Sequence, residues 1–279
     1  MRTRTLVLVL AVVVVAVTVF ALRDRVSLRD EYCEADVGGT RAQVDPEQAR
    51  WSSLMAAMAQ ARGLPPRATT IAIATAFQES KIRNIDYGDR DSVGLFQQRP
   101  SQGWGSVEQI MDPVYSIGAF YDGLVEVDGY EDLEITVAAQ EVQRSAFPEA
   151  YAQHEPYARA LASSLRGFSP AAFSCQVEPT GGGSLEDLED DLATAFGRVE
   201  TAAEAGTLTV TVPTGGEPES RSALAWSYAH YLVANASRLG LGSVDVDGRT
   251  WTAEESADGW QGEAVQGSEP PSTVTVTLG

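Results

Sequence analysis

The stretch 66–80, PRATTIAIATAFQES, constrains this chain more than any other. Pro66 suits the first position of a helix, and Ile71, Ile73, Ala76 and Phe77 leave no polar face along most of its length. A helix apolar on all sides is stable only when other elements surround it. The stretch therefore predicts a buried central helix, and its far end carries one ionisable side chain, Glu79. The same punctuation predicts neighbours for it. Asp45-Pro46 opens a helix that Gly63 closes, with Trp51, Leu54, Met55 and Met58 on its apolar stripe. Asp112-Pro113 opens another bearing Ile117, Tyr121 and Leu124, and 133–144 and 148–165 supply two more, the last bent at Pro156. Five helices and no clear strand predict an all-α domain over residues 45–175.

Ahead of this domain, Arg2 and Arg4 precede an unbroken apolar run, 6–22, interrupted only by Thr18. As a helix the run spans about 26 Å, the short end of what crosses a bilayer. Two readings stay open for residues 1–25: an uncleaved transmembrane signal anchor, or a secretory signal cut near Ala21. Both place the remainder outside the cytoplasm, either on the outer face of a cell membrane or secreted. Residues 26–44 read as a polar tether. The cysteines agree with that compartment. Cys33 precedes the helical domain and Cys175 follows it, so a disulfide between them closes a loop of about 140 residues, for roughly 4–5 kcal/mol in the chain-entropy model. There is no CxxC, and the two histidines, His154 and His230, lie far apart, so no metal or other cofactor is expected.

Residues 176–184 contain Gly181-Gly182-Gly183 and read as a flexible linker. Beyond it, 185–279 alternates helical and strand patterns: an acidic helix with Leu185, Leu188, Leu192 and Phe196, a strand at 207–212, a helix at 220–239, and strands at 243–252 and 273–278. This predicts a small α+β module. It is strongly acidic, with 17 Asp and Glu against four Arg in 176–279, within a chain of net charge −19. Such a charge repels nucleic acid and anionic polymers. A protein partner or a spacer role fits the module better.

The chemistry concentrates in 76–105, AFQESKIRNIDYGDRDSVGLFQQRPSQGWG. Burying Glu79 near Ile73 and Phe77 raises its pKa, and a carboxylic acid still protonated near neutral pH can protonate a leaving oxygen, as glycosidic cleavage requires. Gly94 permits close backbone approach, the Gln97 and Gln98 amides can hydrogen-bond acetamido sugars, and Tyr87 and Trp104 can stack on sugar faces. Asp91 and Asp86 are candidates for a second carboxylate that would position water. The competing reading has the loop aspartates, with Asp89, capping turns or pairing with Arg83, Arg90 and Arg99.

Glu79-Ser80, followed about fifteen residues later by Gly94-Leu95-Phe96-Gln97, resembles the Glu-Ser and Gly-Leu-x-Gln pair of lysozyme-like lytic transglycosylases, in the soluble-transglycosylase and goose-type lysozyme group. The longer VGLFQQRPSQGWG is similar to a lysozyme-like domain of membrane-anchored actinobacterial proteins. The resemblance covers about 45–170. It implies a fold of that kind, peptidoglycan glycan strands as substrate, and Glu79 as a single catalytic acid and later base. It also implies that Ser80 orients Glu79 or a sugar, and that Gly94, Leu95, Phe96 and Gln97 line the glycan cleft. The sequence departs from the family at one motif. Where an Ala-Tyr-Asn supplies a tyrosine to the catalytic Glu, this chain reads Ala138-Ala139-Gln140-Glu141. Tyr121, Tyr151 and Gln140 are the candidate substitutes. The departure leaves open a second reading, a non-catalytic glycan-binding or envelope-assembly protein.

Overall fold

The computed structural model describes residues 31–144, 148–265 and 269–279. The expected anchor or signal at 1–25 lies outside them, but most of the stretch 26–44 expected as a polar tether does not: residues 32–44 are folded as two paired strands. Among the described residues no helix is long and apolar enough to cross a membrane.

The helices form where Pro and Asp punctuate the chain. The first, α1 (Pro46–Ala61), opens on a capping box: Asp45 accepts from the Gln48 amide while the Gln48 side chain accepts from the Asp45 amide. The central helix α2 (Pro66–Ser80) is buried along Ala68–Ala76. Around it lie α3 (Val107–Met111), α4 (Pro113–Val125), α5 (Ile135–Gln143) and α6 (Glu155–Leu165). Residues Pro148–His154 form 3-10 turns, and Pro156 sits in the first turn of α6, where it starts a helix instead of bending one.

The all-α expectation is overturned. The structure is mixed, 47% helical and 19% strand, with two antiparallel sheets. The first sheet, in the order β2-β1-β3, is made of β1 (Tyr32–Val37), β2 (Thr40–Val44) and β3 (Phe173–Gln176). Three inward residues of β1 and β2, Cys33, Ala35 and Ala42, are small, so the alternation of those two strands is faint beside the helical periods that follow. The Gly38-Gly39 pair, both at positive φ, turns the β1–β2 hairpin. The third strand arrives from far along the chain and pairs Cys175 opposite Cys33, where a disulfide joins them.

The second sheet, in the order β4-β5-β9-β6-β7-β8, comprises β4 (Glu200–Glu204), β5 (Thr207–Thr211), β6 (Leu241–Val246), β7 (Arg249–Thr252), β8 (Gln261–Gly262) and β9 (Thr273–Leu278). The run expected as one strand at 243–252 is a hairpin folded at Asp247-Gly248, both at positive φ. The acidic helix expected over 185–205 is shorter: α7 (Leu185–Phe196) ends at Gly197, and β4 takes up most of the remainder.

Residues Glu31–Gly279 form one compact unit, with the helix α8 (Pro218–Ala234) between the helical body and the second sheet. The short α9 (Ala236–Leu239) follows it. Three bonds fasten α8 and its end to the helices: Ser227 Oγ donates to the Leu165 carbonyl at 2.8 Å, His230 Nδ1 to the Ser164 carbonyl at 2.6 Å, and Asn235 Nδ2 to Ser53 Oγ at 3.2 Å. On the other side Trp251 Nε1 donates to the Cys175 carbonyl and Trp260 Nε1 to the Phe173 carbonyl, tying the two sheets together. His230 is fully buried and its pKa is pushed down to about 4 by that burial.

Candidate active site

The last turn of α2 places Glu79 where the buried helix meets the surface. Immediately after it the backbone turns through Lys81 and Ile82, both in the left-handed region at φ 59° and 57°. A buried isoleucine at positive φ is unusual, and here it closes the helix end, its N–H reaching the Ala76 carbonyl. Ser80 is buried in this turn. Its hydroxyl donates to the Leu95 carbonyl at 2.7 Å and accepts from the Arg83 amide, so it fastens the helix end to the Gly94–Gln97 segment.

That segment is a tight reversal. Val93 and Gln98 pair across it, Gly94 sits at φ 79°, and a Cβ there would come within 2.9 Å of the Ile110 carbonyl oxygen. Leu95 and Phe96 are fully buried, with Phe96 stacked on Phe120 at 4.4 Å between ring centres. Gln98 is buried too, donating to the Ser116 carbonyl, while the half-buried Gln97 donates to the Tyr87 carbonyl at 3.2 Å. These side chains hold the reversal, and the segment meets the site through its backbone.

Two partners converge on Glu79. The Tyr151 hydroxyl, fully buried in the Pro148–His154 turns, donates to Glu79 Oε1 at 2.6 Å. Gln143, at the end of α5, hydrogen-bonds the same carboxyl and also donates through Nε2 to the Phe96 carbonyl at 2.7 Å. Burial raises the Glu79 pKa from its ordinary value, and the bonds from Tyr151 and Gln143 offset part of that rise. Of the tyrosines that could replace the missing Ala-Tyr-Asn, Tyr151 is the one at Glu79, whereas Tyr121 donates to the Met55 carbonyl in the core. Gln143 was not singled out in the sequence. It lies three residues beyond Gln140 on the same helix, and that spacing was the available signal.

Gln143 also lines a cleft of about 570 Å³ between α4 and α5, with Trp104, Gly123 and Val142 among its walls and Glu126, Glu141 and Arg144 at its polar edge. Trp104 is half-buried there, its backbone carbonyl accepting from the Tyr115 hydroxyl. Tyr87 is 69% exposed and does not line this cleft.

The aspartates of the loop divide. Asp91 accepts from Arg99 Nε at 2.9 Å, Ser101 Oγ at 2.9 Å and the Ser101 amide at 2.8 Å, and these bonds hold its carboxyl far below the usual range. A carboxylate so engaged closes a loop. Asp86 is exposed. Arg83 pairs with Asp45 and Glu47 of the α1 cap, and Arg90 approaches Asp89 at 3.9 Å. His154 Nε2 donates to Gln78 Oε1 at 2.9 Å while its ring lies 4.7 Å from that of Phe77, which leaves it a packing role beside the site.

No protein-family model matches this sequence, and no curated protein matches it.

Proposed function

We propose that this protein cleaves the glycan strands of peptidoglycan with Glu79 as its single acid and base, in the manner of a lytic transglycosylase. The observation that carries this reading is the 2.6 Å bond from the Tyr151 hydroxyl to a half-buried Glu79 whose pKa is raised by burial. An acid that must give up a proton and then take one back works best with a pKa near the operating pH. Burial favours the protonated form, and the bonds to Tyr151 and Gln143 favour the carboxylate once the proton has gone.

In the forward step Glu79 protonates the glycosidic oxygen. The bond from that oxygen to the muramoyl C1 breaks, its electron pair leaves with the oxygen, and positive charge develops on the ring. The Glu79 carboxylate then removes the proton of the muramoyl 6-hydroxyl, whose oxygen bonds to C1. The product is a 1,6-anhydro ring, Glu79 ends protonated as it began, and no water is consumed. The engagement of Asp91 by Ser101 and Arg99 favours this route over an inverting hydrolysis, which needs a second carboxylate free to activate water. The cleft from Gln143 to Trp104 offers an aromatic face and amide and carboxylate groups, a chemistry suited to acetamido sugars. The Cys33–Cys175 disulfide supports a site of action outside the cytoplasm.

The test is to incubate the full chain with purified peptidoglycan and analyse the soluble products by mass spectrometry. Anhydromuramoyl ends that disappear in Glu79→Gln are expected. Reducing ends would replace the transglycosylase reading with a hydrolase, and sedimentation with the polymer without any product would leave a glycan-binding protein.

A further inference from the structure

One side chain joins three parts of the site that come from separate regions of the chain. Gln143 closes α5, and its Nε2 donates to the Phe96 carbonyl at 2.7 Å. The same side chain hydrogen-bonds the Glu79 carboxyl. It also forms part of the wall of the cleft that runs to Trp104. A primary amide has two N–H donors in one plane, so a single group can serve two acceptors at a fixed angle. The Phe96 carbonyl is held on both sides: its ring is buried and stacked on Phe120, and the preceding carbonyl accepts from Ser80. The amide is therefore anchored on the Phe96 carbonyl while the side chain also engages Glu79.

We propose that Gln143 is a positioning residue for Glu79, setting the carboxyl against the Gly94–Gln97 reversal and conveying the register of a sugar in the Trp104 cleft to the acid. This inference rests on the reading of Glu79 as the acid of glycan cleavage. Tyr151 grips Oε1 from the Pro148–His154 turns, while Gln143 acts from α5. The two therefore reach the carboxyl from two separate elements. Gln143 has the further distinction that a bound sugar can touch it, because it faces the cleft.

The experiment needs no substrate, which separates it from the functional reading. In the full chain, the Glu79 carboxyl carbon and the Gln143 side-chain amide are followed by NMR as pH is raised. The Gln143 amide signals are expected to move with the same midpoint as the Glu79 carboxyl and to lose that transition in Glu79→Gln. Gln143→Met, which keeps the length and removes the donor, is expected to raise the Glu79 midpoint by about half to one pH unit. A purely structural role would alter melting temperature and leave that midpoint in place. Should Gln143→Met not fold, the wild-type amide titration alone decides. Amide signals that ignore the Glu79 transition, or an unchanged midpoint in a folded Gln143→Met, overturn the proposal. A coupled titration in a protein that releases no glycan products would instead uphold the positioning role and remove the assigned reaction.

Discussion

The Tyr151 hydroxyl and Glu79 Oε1 meet at 2.6 Å across 72 residues of sequence. One partner ends a buried helix and the other is carried by a 3-10 turn, so the contact exists only in the assembled fold. Tyr151→Phe removes the donor that stabilises the carboxylate. The Glu79 midpoint then rises, and the alkaline limb of cleavage, where the acid loses its proton, moves upward with it. Turnover is expected to fall about tenfold to a hundredfold, whereas Glu79→Gln abolishes it. Product release from labelled peptidoglycan between pH 4 and 9 measures both.

Gly123 faces the cleft between α4 and α5. A Cβ added there would lie 3.3 Å from Val142 Cγ1 and 3.6 Å from the Trp104 ring. Leucine at this helical position extends into the space beside Trp104 without weakening the helix. Gly123→Leu is expected to weaken binding to insoluble peptidoglycan by about tenfold and to leave the Glu79 titration midpoint where it was. Co-sedimentation and NMR report the two quantities separately.

The disulfide joins opposed residues of β1 and β3 and closes a loop over a sequence separation of 142. Opening it restores that freedom to the unfolded chain. Cys33→Ser with Cys175→Ser should cost about 4–5 kcal/mol in the chain-entropy model, read as a lower urea midpoint. Reductant should produce the same shift in the wild type and none in the double variant.

His230 is neutral in the fold. Its Nδ1–H is spent on the Ser164 carbonyl, and its ring is enclosed by Trp226, Trp260 and Phe173. Its folded pKa of about 4 lies below the ordinary value of 6.5, so the unfolded state binds a proton more readily. The stabilising contribution is complete above pH 6.5, falls as pH drops towards 4, and reaches a loss of about 3 kcal/mol there. Urea unfolding of wild type and His230→Phe at pH 7, 5.5 and 4.5 isolates this term. The variant should show a shallower acid limb.

Asp91 holds its loop through Ser101 and Arg99. Its carboxyl is held well below the usual range, so the tie persists into acid and is lost only as pH falls through that depressed value. Asp91→Asn should raise amide exchange across residues 90–102 at neutral pH while retaining most of the cleavage rate. Loss of activity as complete as in Glu79→Gln would instead make Asp91 a catalytic carboxylate.

The helices were legible because their signals are local. Asp45-Pro46, Pro66 and Asp112-Pro113 mark starts that depend on a few neighbouring residues, and the apolar periods between them show which faces turn inward. The strands of the first sheet were not legible. In β1 and β2 the inward Cys33, Ala35 and Ala42 are small, and β3 finds β1 only through a pairing across most of the helical body. The site divides along the same line. Glu79 stood out as a carboxylate ending an apolar helix, and the Glu-Ser and Gly-Leu-Phe-Gln spacing drew attention to its neighbourhood. Composition could not show that Leu95, Phe96 and Gln98 point into the core, because a turn's side-chain directions depend on what packs behind it.

By itself the sequence determined where the chain turns helical, which helix must be surrounded, and that an acid waits at its end, since each follows from the preferences of residues near one another. The tertiary structure decided which tyrosine and which glutamine meet that acid, that Asp91 is taken up by its own loop, and that His230 is sealed in neutral form. Those outcomes depend on distances between segments far apart in the chain, and such distances arise only when apolar burial brings the segments together.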